Sequence, residues 1–189
     1  MIGAGGGVEE AIRSRVRCAW AKFRELSPIL TTKGASLKVK GKVYRACVQS
    51  VLIYGSETWA VRVEDVSKLE RAERMMVRWM CGVTLRDTIA SVELYSRLGL
   101  EEVGVALRRG WLRWFGQLEH KNASDWVSAC RSIAVVGSRL WGRGKKSWSE
   151  CVKGDMKIMG LRAEWVRDRE KWRGLLSGKR LTRCHGLFT

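Results

Sequence analysis

The chain is 189 residues long and carries 36 Lys and Arg against 19 Asp and Glu, a net charge of +17. With 46% hydrophobic residues it has the apolar content to bury about 70% of its unfolded surface, which excludes wholesale disorder. A single proline excludes proline-rich linkers and leaves helices free to run, and ten tryptophans outnumber three Phe and three Tyr.

No apolar stretch approaches the roughly 20 residues a membrane span needs, and the start from Met1 to Gly7 has no signal-peptide core. Six cysteines (Cys18, Cys47, Cys81, Cys130, Cys151, Cys184) are scattered without a close pair, the pattern of reduced thiols in an intracellular protein. The expected setting is the nucleus or cytoplasm, with no membrane partner.

Val8, Ile12, Val16, Ala19, Trp20, Phe23 and Leu26 follow helical spacing and predict a first helix from about Val8 to Leu26, with Pro28 just beyond its end. Ser36 predicts the cap of a second helix whose Val43, Ala46, Cys47, Val48, Val51, Leu52, Ile53 and Tyr54 are apolar almost all round. Such a helix is expected to be buried, and its Gly41 counts against helix formation. A third helix, from about Glu64 to Cys81, should stop at Gly82. Val66, Leu69, Met76, Val77 and Met80 fall on one arc of its wheel, with Arg71, Arg74 and Arg78 opposite. It has a core face and a cationic face.

A short helix opens at Ser91 and ends near Gly99. The next, from Glu101 to about Leu118, sets Val103, Leu107, Trp111, Trp114, Phe115 and Leu118 on one side and turns Arg109 and Arg113 away. Trp20, Trp79, Trp111 and Trp114 lie on or beside apolar faces and are expected in the core, and His120 is expected to cap the helix end. The β-branched run Ile133 to Val136, closed by Gly137, leaves room for one short hairpin. Gly142-Arg143-Gly144-Lys145-Lys146 reads as a basic loop, and Ser147 with Glu150 as a capping box opening a helix to about Gly160. A last helix is predicted from Arg162 to about Leu176, after which the chain should fray. The expectation is an all-α fold: a helical domain over 1–121, a basic loop and smaller helical extension over 122–176, and a disordered tail over 177–189.

The cations carry the strongest functional signal. Leu26 to Ser56 and Trp126 to Ser149 each hold five Lys or Arg and no acid, which a solvated helix face does not explain. Phosphate contact releases condensed counterions and gives such a surplus a use. Candidate nucleic-acid-binding residues are Arg71, Arg74 and Arg78 on one helix face and Arg143, Lys145 and Lys146 in a glycine-flanked loop. Trp141 and Trp148 flank that loop and offer stacking faces. The helix N-terminus after the loop presents N–H groups that favour anions.

Enzymatic motifs are not found. The five aspartates (Asp65, Asp87, Asp125, Asp155, Asp168) are scattered, without the paired carboxylates a two-metal polymerase needs, and read as capping and surface groups. Cys184-His185 has no partner pair with zinc-ligand spacing. Glu164, Asp168 and Lys171 have the spacing of a solvated ion-pair stripe, and Gly55-Ser56-Glu57 lacks the nucleophile elbow. No metal and no cofactor are expected.

Several strings occur in a telling order. They are Ala19-Trp20-Ala21-Lys22-Phe23, Lys42 to Val48, Ile53-Tyr54-Gly55-Ser56-Glu57-Thr58-Trp59, Met75 to Val83, Arg113-Trp114-Phe115-Gly116, Arg143 to Trp148 and Cys151 to Met156. Together they resemble the carboxy-terminal part of LINE-type, non-LTR retrotransposon reverse transcriptases, downstream of the polymerase palm, over Met1 to Leu176. The resemblance implies a thumb-like helical bundle and the extension after it, with the catalytic carboxylates upstream of Met1. The isolated chain is then expected to be no enzyme but a reverse transcriptase fragment. It would bind an RNA/DNA duplex or RNA template through phosphates, with an upstream palm domain as a further partner. Trp111 stands where the family has a basic residue, Gln117 where it has His, and the basic loop is thinned. Two alternatives are a degenerate transposon remnant and a helical scaffold that binds a protein by its apolar surface.

Overall fold

A computed structural model describes residues 8–84, 86–122, 124–132 and 147–177, which form helices and turns with no strand among them. The fold is all-α, as the helical periodicities require. The hairpin expected over Ile133 to Val136 lies outside the described residues, as does the expected tail from Gly178 onward. No helix among the described residues is long and apolar enough to cross a membrane. The chain divides into two compact units, Met1–Leu107 and Arg108–Thr189.

In the first unit, α1 (Val8–Glu25) places Glu9 and Glu10 in its first turn and Lys22 and Arg24 in its last, both favourable to the helix dipole. It buries Ile12, Ala19 and Phe23. Pro28 sits in the first turn of α2 (Ser27–Leu30), where its missing N–H is no loss. The Ser36 side chain accepts the Val39 N–H and caps α3 (Leu37–Tyr44). One π-helical turn follows over Arg45–Gln49, then α4 (Ser50–Leu52). The wider turn buries the neighbours Val48 and Gln49 together.

This second helical stretch is not buried on every side. Helices α1 and α2 and α6 (Ser91–Leu98) pack against it and leave Ala46 and Tyr54 exposed, Tyr54 at 66%. Gly41 has a packing purpose that helix propensity hides. A Cβ there would lie 2.0 Å from the Leu98 carbonyl oxygen, so only glycine lets α3 and α6 meet at this distance.

Helix α5 (Val63–Met80) starts where the Asp65 carboxylate accepts the Arg62 N–H at 3.3 Å. It buries Leu69, Ala72, Glu73, Met76, Val77 and Met80. At its end Gly82 takes φ 66°. The Gly82 N–H then reaches the Trp79 carbonyl and the Val83 N–H that of Arg78, the hydrogen-bond pair of a glycine-terminated helix. The aromatic core joins Phe23 edge-on to Tyr44, with centroids 6.5 Å apart. Trp79, expected in the core, covers it from the rim: its ring lies 5.6 Å from Phe23 while the residue stays 52% exposed.

Helix α7 (Val103–Glu119) begins in the first unit and continues into the second, which adds α8 (Trp126–Ser132), α9 (Trp148–Ile158), a 3₁₀ turn (Ala163–Arg167) and α10 (Arg169–Ser177). The second unit buries Trp111, Leu112, Val152, Met156, Val166, Trp172 and Leu176. Trp172 Nε1 donates to the Leu112 carbonyl at 3.1 Å and fixes α10 against α7. Trp114, expected in the core, is only half-buried, because the buried line of α7 runs through Trp111, Leu112 and Gly116.

The expected single helix from Arg162 is broken. Asp168 is extended at ψ 103°, and its Oδ1 accepts the Lys171 N–H at 3.0 Å. The residue read as part of an ion-pair stripe is therefore a helix cap.

Candidate nucleic-acid interface

Three of the expected contact residues project from α5, but they are not equivalent. Arg71 and Arg74 are exposed. Their Nε atoms fold back on the carbonyls of Ser67 and Glu70, and the Arg74 Nη2 lies 3.9 Å from Glu70 Oε2. In that posture both guanidinium groups remain at the surface. Arg78 is half-buried, and its Nη2 donates to the carbonyls of Thr84 and Asp87. It closes the turn after α5. Its charge is spent on local backbone, which wheel position could not reveal.

Trp141, Arg143, Lys145 and Lys146 lie outside the described residues. Trp148 opens α9, is half-buried, and lines a cavity of about 530 Å³ with Phe115, Val152 and Met156. The N-terminus of α9 differs from the expected anion site. Ser147 Oγ accepts the Glu150 N–H at 3.3 Å, and Glu150 Oε2 accepts the Ser147 N–H at 2.7 Å. The capping box occupies N–H groups that a phosphate would use and puts a carboxylate at the positive end of the helix.

The aspartates are all in use. Asp65, Asp87, Asp125 and Asp168 accept backbone N–H groups at helix starts or turns. Asp155 is buried 3.5 Å from Arg108, so it is neither a cap nor the surface group expected. Among the described residues no group of three or more His, Cys, Asp or Glu side chains is placed to hold a metal ion. Cys184 and His185 are not among them.

One carboxylate was not singled out by any sequence pattern. Glu73 is fully buried in α5, with Oε1 accepting from Gln49 Nε2 at 3.0 Å. Its Oε2 accepts from Tyr95 Oη at 3.0 Å and the Val103 N–H at 2.6 Å. Burial pushes its carboxyl up to about 7, against the three donors that favour the charged form. The Tyr95 hydroxyl is raised in turn by burial and by Glu73. A perturbed carboxyl in a cleft would suggest catalysis. This one is enclosed and saturated with donors, and it ties α3–α4, α6 and the start of α7 to α5.

Sequence reasoning also missed Arg113, on α7, with Arg169 and Arg173, on α10. All three are exposed and have no ion-pair or hydrogen-bond partner among the described residues. Several other arginines are paired: Arg13 to Glu9, Arg17 to Glu10, Arg97 to Glu93 and Arg108 to Asp155. A sequence signal did exist. Arg169 and Arg173 stand four apart on one helix, a repulsive like-charge spacing.

Compared with protein-family models, with curated proteins and with solved structures, the chain matches none.

Proposed function

We propose that the chain is a nucleic-acid-binding helical module of retroelement origin. It corresponds to the thumb and helical extension that follow the palm of a LINE-type non-LTR reverse transcriptase, and it grips a template–primer duplex through phosphates. The observation that carries this reading is a net charge of +17, with Arg71 and Arg74 exposed on one face of α5. Phosphate is the ligand such groups suit. Contacts of this kind from α5 position the duplex without reading its bases.

On this reading the chain alone does not polymerise. Its aspartates are committed to caps, turns and an ion pair, and a palm must come from another segment or chain.

The test is duplex binding followed by fluorescence anisotropy over a salt series. The expected slope of log affinity against log salt is about −0.9 per phosphate contacted. Arg71→Ala with Arg74→Ala should flatten it by about 1 to 2 units, equally for unrelated sequences. A folded chain that binds no duplex even at low salt overturns the reading. The protein-binding scaffold would then gain, because Met75 and Trp79, one turn apart on α5, are 58% and 52% exposed.

A further inference from the structure

Within the second unit, α7 and α10 enclose a half-open cavity of about 700 Å³, a size that suits a small ligand. Its floor is apolar. Trp172 and Leu176 are 4% and 3% exposed, and Gly116 allows the indole to lie against α7, since a Cβ there would come within 2.5 Å of Trp172 Nε1. Its rim is cationic: Arg113 from α7, and Arg169 and Arg173 from α10, all unpaired among the described residues. Lys121 also lines the cavity but is held by Asp125 at 2.8 Å. No acid lines it.

Two further features point to a bound group. Arg169 and Arg173 repel each other at i, i+4 spacing, and Arg113 adds a third like charge, a strain that an anion relieves. His120 lines the same cavity, and its Nε2 is buried without a hydrogen-bond partner among the described residues. An orphan nitrogen on a residue that lines a cavity calls for a partner that the described residues do not supply.

Shape decides which anion. A duplex meets a protein as a broad convex surface, which a half-enclosed cavity does not admit. An apolar floor beneath a cationic rim matches one unpaired nucleotide, base inward and phosphate at the rim.

We propose that the α7–α10 cavity binds an unpaired nucleotide of a nucleic-acid strand, its phosphate held by Arg113, Arg169 and Arg173 and its base over Trp172 and Leu176. This site rests on the nucleic-acid reading above and adds a single-strand function to it.

The experiment uses the full chain with two probes, a labelled oligothymidylate and a labelled blunt hairpin duplex. One variant combines Arg113→Ala, Arg169→Ala and Arg173→Ala. The other is Gln117→Glu, which adds a carboxylate to the cavity wall at an exposed position one turn from Arg113. Each is checked for an unchanged far-ultraviolet circular dichroism spectrum.

The triple variant should bind oligothymidylate at least about tenfold more weakly, with a salt slope flatter by about 2 units, at about 0.7 per contact. Duplex affinity should move less than about twofold, and Gln117→Glu should weaken oligothymidylate about threefold. If the triple variant does not fold, Gln117→Glu decides alone. Unchanged oligothymidylate binding, or an equal loss for both probes, overturns this site while wild-type duplex binding keeps the broader reading. A wild-type chain that binds neither probe overturns both.

Discussion

Trp111 and Trp114 lie on the same predicted face of α7, yet Trp111 is 4% exposed and Trp114 is half-buried. Deleting a buried indole leaves a cavity, so Trp111→Ala should lower stability by about 3 to 5 kcal/mol in urea titration. Trp114→Ala should cost less than half of that; equal costs would mean that both indoles are core. Glu73 sets a pH dependence. Its carboxyl stands at about 7 when folded against an ordinary 4.5, so between those values the folded chain keeps a proton that the unfolded chain has released. The associated stability is fully present below 4.5 and is lost as pH rises through 7, at about 1.4 kcal/mol per unit. Glu73→Gln should remove that slope from the difference between urea midpoints at the two ends of the window. An identical slope in the variant would locate the titration elsewhere.

Helix ends and helix meetings follow different logic. Ser36 and the Ser147–Glu150 box were legible because a cap is satisfied within one turn of chain. Gly82 was legible for the same reason. Gly41 was misread, since its role depends on Leu98, which a local pattern cannot supply. Gly41→Ala should therefore destabilise by about 2 to 3 kcal/mol, against the gain of about 1 kcal/mol that helix propensity alone predicts. Chemical denaturation distinguishes the two by sign. Asp168 shows the converse: Glu164, Asp168 and Lys171 fit a helix wheel, but the Asp168 side chain competes for the Lys171 N–H and starts a new helix instead.

Across the whole molecule, a charge of +17 means self-repulsion in the folded state. The visible surface ion pairs, such as Arg13–Glu9 and Lys121–Asp125, are exposed or partly exposed and offset little of it. Raising salt from about 0.02 M to about 0.3 M shortens the Debye length below most inter-charge distances. The melting temperature should then rise, and more with phosphate than with chloride if the α7–α10 cavity holds anions. A melting temperature that falls with salt would mean that the ion pairs outweigh the excess charge. The same screening should weaken nucleic-acid binding, so stability and affinity are expected to respond to salt in opposite directions.

The sequence alone determined that the chain is helical, where most helices begin and end, and that its surface carries a large cationic surplus. These are consequences of spacing, capping and composition, all set within a few residues of each other. Tertiary structure decided how individual charges are used. Arg78 lies on the same wheel face as Arg71 and Arg74, but it folds onto the turn carbonyls of Thr84 and Asp87. Arg113, far in sequence from Arg169 and Arg173, shares the rim of one cavity with them because Trp172 docks α10 on α7. Glu73, without a motif around it, sits at the junction of α3–α4, α5, α6 and α7. Whether an ionisable side chain finds a partner depends on elements distant in sequence, so neither periodicity nor composition contains it.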